Sequence, residues 1–531
     1  MEKLKKSCSF LHEQFYHYLL YIIKHPVCSL VILAGVLISY KDYAFATDYY
    51  VDSEVVINIP GTNYNWLEIG RYGLVLTRKL LGTGWYNPYY TGILMLLFLW
   101  LTGISFSYLA GKLFPRLDTS LSTLGSLIFI TYPTFTEQYY FHFQSAEIAF
   151  GLWISILAML LFYQFVKEQH LLCFILSLPI YILTFAIYQS FIPLALCGYL
   201  AIFLAIVLQT DTELSTIKRS IFGSILHFVI AFAISQGINK LCFPASGYLN
   251  NQVIWTSGTS LVESFKGVVT ACLRMLTGQG LFYTAILLIA VVSAFASFFY
   301  FHGMGAYKIL LGVLSVIGIA ITPFILTLLM GHNTAVRSQF TYSLAAIFLL
   351  LFAIQTVLDK KPTFKYGKLL ATTILLAFTV TQISTVRFIW KAHEYVADYD
   401  RKTATDVMKI MYDSFTVDTG VAGIMFWGYL QPESPYDDEL VGSPSYLFTS
   451  VFNLEHNMEP YCFFSTNRIL GYMESMGHRF TYPNGRTWTI SSFIMKHRNP
   501  SVFPDASCAF NDLEAFTLNL GNCPEYYYYL R

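Results

Sequence analysis

Apolar runs separated by polar connections occupy roughly the first 390 residues, and beyond them the pattern changes. The runs fall at roughly 26–40, 91–111, 119–136, 146–166, 171–188, 191–209, 220–238, 280–301, 309–330, 340–358 and 369–389. A spanning helix needs roughly 20 predominantly apolar residues, so these runs predict about eleven transmembrane helices. The first run is short and draws on residues upstream of Pro26. No small-residue cleavage site follows it, so it is expected to stay as an anchor. The stretch 261–277 carries Glu263, Lys266 and Arg274 and reads as an interfacial helix. Past 390, short β-like runs (Val421–Trp427, Thr487–Ile494) alternate with Pro, Gly and Asn turns. The expected fold class is an α-helical polytopic membrane protein (1–390) with a small α/β C-terminal domain (391–531). No internal repeat relates the two halves of the membrane region.

Composition agrees with the bilayer as solvent. The 531 residues are 55% hydrophobic and only 12% charged, against about a quarter charged in soluble domains. A net charge of +1 gives no acidic or basic bias, which speaks against nucleic acid as a partner. The nine cysteines lack CxxC spacing and a histidine partner cluster, so neither a metal site nor a cofactor is expected. Cys508 and Cys523 could pair if the tail faces an oxidising compartment, although spacing alone never fixes a bridge.

Charge also predicts orientation. Lys3, Lys5, Lys6, Lys24, Lys112, Arg116, Lys167, Lys218, Arg219, Lys308, Lys360, Lys361, Lys365 and Lys368 fall on one side, mostly in short connections. Lys41, Arg71, Arg78, Lys79, Lys240, Lys266, Arg274 and Arg337 are spread on the other, largely over two long loops, 41–90 and 239–279. The positive-inside rule then places the N-terminus in the cytoplasm. An odd number of spans makes the C-terminal domain extracytoplasmic.

The predicted spans hold almost no mid-membrane ionisable group apart from His227, which reads as a hydrogen-bonded packing residue. Ion-coupled transporters usually carry such charges along their pathway. Here the carboxylates Asp42, Asp48, Asp52, Glu54 and Glu68 gather after the first span instead. A site at the membrane face suits an enzyme acting on a lipid-linked substrate. A carboxylate there could take a proton from an acceptor hydroxyl, and a guanidinium could hold a lipid phosphate. Arg71 and Arg337 are the arginines best placed for that. A loop acid is ordinarily just solvated, however, and a juxtamembrane arginine ordinarily anchors against headgroups. The segment Asn65–Leu81 reads as one amphipathic helix in the interface. The aromatic run Tyr139–Phe143 reads as an interfacial belt.

Four segments carry a resemblance. The first is Asp52-Ser53-Glu54 followed by Trp66-Leu67-Glu68-Ile69-Gly70-Arg71-Tyr72-Gly73; the second is Tyr132-Pro133 with Glu137 and Tyr140-Phe141-His142-Phe143-Gln144-Ser145. Tyr188-Gln189 and Arg337 complete the set. Together they resemble the serotype-converting, polyprenyl-phosphate-glucose-dependent glucosyltransferases of bacterial membranes, a branch of the GT-C superfamily. The departures are Ser53 between two acids that the family keeps adjacent, Gln144 where an Asp is expected, and His142 where an Arg is expected.

What the resemblance implies is a membrane hexosyltransferase of inverting type at the outer face of a bacterial cell membrane. It would move a hexose, glucose by this likeness, from a polyprenyl-phosphate-linked sugar to a surface glycan acceptor. Asp52 would be the base, with Asp48 or Glu54 as alternatives. Asp48 and Asp52 share a face if the segment is helical, and Asp52 and Glu54 do if it is extended. Arg71 and Arg337 would hold the phosphate. Trp66, Glu68, Glu137, His142, Gln144, Tyr188 and Gln189 would line the substrate site. A donor flippase is a candidate partner. The rival readings are an O-antigen polymerase or ligase, and a lipid-linked sugar flippase or transporter.

Overall fold

Proline and short polar caps set where the apolar runs become helices. Pro26 opens one helix and Pro88 another, at first-turn positions where the missing N–H costs nothing. Asn87 and Asp118 cap two helices by accepting from the backbone N–H groups of Tyr90 and Leu121, both at 3.0 Å. The computed structural model describes residues 2–46, 52–58, 63–85, 87–209, 212–243, 255, 260–301, 304–360, 366–414, 423–433, 446–454, 461–512 and 514–522. Asp48 and Cys523 lie outside the described residues.

The helices in chain order are α1 (Glu2–Lys24), α2 (Pro26–Phe45), α3 (Ser53–Asn58), α4 (Asn63–Glu68), α5 (Tyr72–Leu81), α6 (Pro88–Leu113), α7 (Thr119–Ile130), α8 (Thr134–Tyr140) and α9 (His142–Glu168). They continue with α10 (Leu171–Ile187), α11 (Phe191–Val207), α12 (Leu214–Cys242), α13 (Leu261–Thr277), α14 (Ile286–Ser297), α15 (Ala306–Ile321), α16 (Ile325–Met330), α17 (Phe340–Lys360) and α18 (Gly367–Ser414). Then follow β1 (Gly423–Gly428), α19 (Tyr461–Ser475), α20 (Gly485–Arg498), β2 (Ala509–Asp512) and β3 (Ala515–Gly521).

Among the described residues, seven helices are long and apolar enough to cross a membrane: α2, α6, α9, α12, α15 with α16, α17 and α18. Four further apolar helices are shorter: α7, α10, α11 and Ile286–Tyr300. The protein is a polytopic helical membrane protein. Two compact units divide the chain. The first comprises Met1–Ala46, Asn63–Phe388 and Glu439–Pro444, and the second comprises Thr47–Thr62, Ile389–Asp438 and Ser445–Arg531.

In the first unit α6 packs on α2, α7 and α9, and α10 packs on α9 and α12. The α6–α2 approach depends on small residues. A Cβ at Gly92 would stand 1.9 Å from the Ala44 carbonyl oxygen, so only glycine fits. His227 matches its expected role. The Phe174 carbonyl can only accept, at 3.2 Å from Nε2, so that nitrogen carries the proton. Nδ1 then accepts from the Tyr199 hydroxyl at 2.7 Å.

Two expectations for this unit need correction. Asn65–Leu81 is not one helix, because Gly70 takes φ +76° and parts α4 from α5. Arg78 on α5 is buried, whereas Leu76 and Leu80 are exposed. The aromatic run Tyr139–Phe143 is not a surface belt either, since all five side chains are buried. The turn at Phe141 between α8 and α9 folds it inward, and Tyr139 packs edge-on to Tyr40 with centroids 5.1 Å apart.

In the second unit β3 is the central strand, parallel to β1 and antiparallel to β2. Both β1 and β3 are buried along their whole length. The predicted strand Thr487–Ile494 is helical instead and lies within α20. Its buried residues Thr487, Ser491, Ile494 and Met495 follow helical spacing, and Asn484 supplies a capping box. Ser491 sits at the centre of that packing, accepting from Trp427 Nε1 at 2.6 Å and bonding the Thr517 hydroxyl at 2.9 Å.

Candidate functional site

Within the first unit, the ends of α4, α5, α8, α9 and α17 bring several of the sequence candidates together. Gly70 turns the chain so that Arg71 stands at the head of α5. The Arg71 guanidinium lies 4.3 Å above the Tyr188 ring, a cation–π contact. Next to Tyr188, Gln189 Nε2 donates to the Ile69 carbonyl at 2.9 Å and fastens the α4–α5 turn to the end of α10. Tyr188 in turn packs on Phe340, the first residue of α17, with centroids 5.6 Å apart.

Arg337 lies three residues before that phenylalanine. Its backbone N–H donates to Glu137 Oε2 at 2.8 Å, and its Nη1 lies 3.4 Å from Glu137 Oε1. The Arg337 guanidinium also covers the Phe141 ring at 4.7 Å. Glu137 is fully buried, so its charge is matched by Arg337 rather than by water. Arg71 thus lies over Tyr188 and Arg337 over Phe141, and Tyr188 packs on Phe340 three residues along the chain from Arg337.

A second arginine site lies where the last turn of α5 meets the start of α9. Arg78 donates from Nη1 to the Phe143 carbonyl at 2.6 Å and from Nη2 to the Thr83 carbonyl at 2.9 Å. Its Nη1 is 4.0 Å from Glu147, which also accepts from the Thr83 hydroxyl. Burial pushes the Arg78 guanidinium below its ordinary range, and Glu147 opposes that shift. Trp66 stacks on Phe143 with centroids 5.2 Å apart and lies 4.8 Å beneath Arg78. Trp66 therefore packs this corner. His142 and Gln144 are buried at the start of α9, and Glu68 is exposed at the end of α4.

The described carboxylates proposed for catalysis belong to the second unit. Asp52 takes φ +68°, a left-handed turn that Asp tolerates better than most residues, and precedes α3. Asp52 Oδ1 accepts from Arg468 Nη2 at 2.7 Å, and Glu54 Oε1 accepts from Arg468 Nη1 at 2.6 Å. Burial pushes Glu54 up to about 7, with Arg468 pulling down and Asp52 pushing up. Among the described residues, no three His, Cys, Asp or Glu side chains group as metal ligands.

A family model described as Glucosyl transferase GtrII matches residues 43–354, more than half of the chain. The chain belongs to the GtrII glucosyl transferase family. It is therefore a membrane glycosyltransferase, which takes a sugar donor and a glycan acceptor. No curated protein matches it. The family segment contains every candidate named from the sequence, from Asp48 to Arg337. Arg468 lies outside that segment, and sequence reasoning missed it because no motif marks it. Arg78 and Glu147 were likewise not assigned, although a cation and an acid at the edges of apolar runs were the available signal.

Proposed function

We propose that this GtrII-family glucosyl transferase moves glucose from a polyprenyl-phosphate donor to a hydroxyl of a cell-surface glycan, at the outer face of a bacterial membrane. The acceptor oxygen attacks the anomeric carbon while its proton passes to the Asp52 carboxylate. The bond from that carbon to the phosphate oxygen breaks, and its electron pair leaves with the polyprenyl phosphate. A single displacement of this kind inverts the anomeric centre. Arg71 and Arg337 stabilise the charge that grows on the departing phosphate. The observation that supports this reading best is that Arg71 lies over Tyr188, which packs on Phe340, three residues along the chain from Arg337. Two guanidinium groups at one end of an apolar bundle suit an anionic headgroup whose tail stays in lipid.

The donor class is tested with purified protein in proteoliposomes, offered radiolabelled undecaprenyl-phosphate-glucose or UDP-glucose. Transfer from the first and not the second is expected. The reverse pattern would remove the polyprenyl donor. Arg71→Lys is expected to retain more donor use than Arg71→Ala, because a point charge partly replaces the fork. Equal activity in wild type and both variants would take Arg71 out of the site.

A further inference from the structure

We infer that Arg468 is the positioning residue for Asp52 and that Glu54 is its buried anchor; this rests on the assignment of Asp52 as the base. The division of labour follows from geometry. One guanidinium holds two carboxylates, with contacts of 2.7 Å to Asp52 and 2.6 Å to Glu54. The Arg468 side chain is 14% exposed and Glu54 3%, whereas Asp52 is 39% exposed. A fully exposed ion pair would fix little, because water and side-chain entropy compete with it. Here the anchor carboxylate is dry, so Arg468 is held and its second nitrogen presents a fixed donor to Asp52.

The backbone supports the same arrangement. Helix α3 is clasped to α19 at its far end as well, where Asn58 Nδ2 donates to the Gly471 carbonyl at 2.9 Å and to the Ser475 hydroxyl at 3.3 Å. A Cβ at Gly471 would stand 3.1 Å from Glu54 Cγ, so this face of α19 admits the anchor only closely. Asp52 precedes this clamped helix in a left-handed conformation that needs such support. Arg468, Asp52 and Tyr482 are the titratable groups that face Glu54, and Glu474 and Arg479 face Tyr482. The arrangement leaves the solvent-reaching acid for chemistry and gives the buried acid to structure.

The test measures kcat and donor KM for glucose transfer by the full-length protein in proteoliposomes, for wild type, Arg468→Ala, Arg468→Lys, Asp52→Asn and the Asp52→Asn/Arg468→Ala double variant. Arg468→Ala removes the donor that fixes the Asp52 carboxylate. Its kcat should fall roughly tenfold or more with donor KM little changed, about the loss of one charge-assisted hydrogen bond. Arg468→Lys should fall between, and added guanidinium should restore part of the Arg468→Ala activity, which a misfolded protein would not allow. In the Asp52→Asn background, Arg468→Ala should cost nothing further. Wild-type kcat in Arg468→Ala, with Asp52→Asn inactive, would overturn the positioning role. Wild-type transfer by Asp52→Asn would instead overturn the assignment of the base.

Discussion

Replacing Glu54 by glutamine gives a pH test whose sign and size follow from the structure. Glu54 is buried beside Arg468, and burial lifts its carboxyl from 4.5 to about 7 in the folded protein. A folded value above the unfolded one means that the fold prefers the protonated acid. The stabilisation is therefore full below pH of about 4.5 and is lost as pH rises through about 7. At 1.36 kcal/mol per pH unit, the displacement amounts to about 3 kcal/mol. For a unit of this size that corresponds to about 6–12 °C in the unfolding midpoint. The assay is thermal unfolding of the full-length protein in detergent between pH 5 and pH 8, with wild type and Glu54→Gln compared at each pH. The wild-type midpoint of the second unit should fall relative to the variant as pH rises, because glutamine keeps the shape of the neutral acid and does not titrate. Parallel curves across the window would refute the idea that burial outweighs the pull of Arg468.

Two further outcomes follow from the first unit. Arg78→Ala strands Glu147 without its cation and frees the Phe143 and Thr83 carbonyls, so it should cost about 3–5 kcal/mol; Glu147→Gln should cost less, and chemical unfolding of the two variants checks the order. Glu137→Gln keeps the shape that receives the Arg337 backbone but removes the charge that holds its guanidinium, so donor KM should rise about tenfold, equivalent to about 1.4 kcal/mol. An unchanged KM in steady-state transfer kinetics would show that Arg337 does not need Glu137.

The membrane architecture was legible because burial in lipid imposes long apolar runs that sequence displays directly. Tyr188-Gln189 was named through the family resemblance and Arg337 also from its place beside an apolar run; the structure sets Tyr188 beneath Arg71 and Arg337 on Glu137. What pattern could not reach depends on turns and on distance. Gly70 breaks α4 from α5 through one positive φ, so the single amphipathic helix read over Asn65–Leu81 is two, and Arg78 on the second is buried. Thr487–Ile494 read as a strand because Thr, Trp and Ile favour strands, yet the Asn484 cap carried the helix signal. Arg468 was out of reach altogether, because its partners Glu54 and Asp52 lie 414 and 416 residues away and no local period encodes that pairing.

The most direct measurement of the central claim is transfer of radiolabelled glucose from undecaprenyl-phosphate-glucose to extracted surface glycan, by wild type and by Asp52→Asn. The substitution removes the base while nearly preserving size. Transfer by wild type that collapses in the variant is the predicted result. Undiminished transfer by Asp52→Asn, or no transfer from this donor by wild type, would contradict the account.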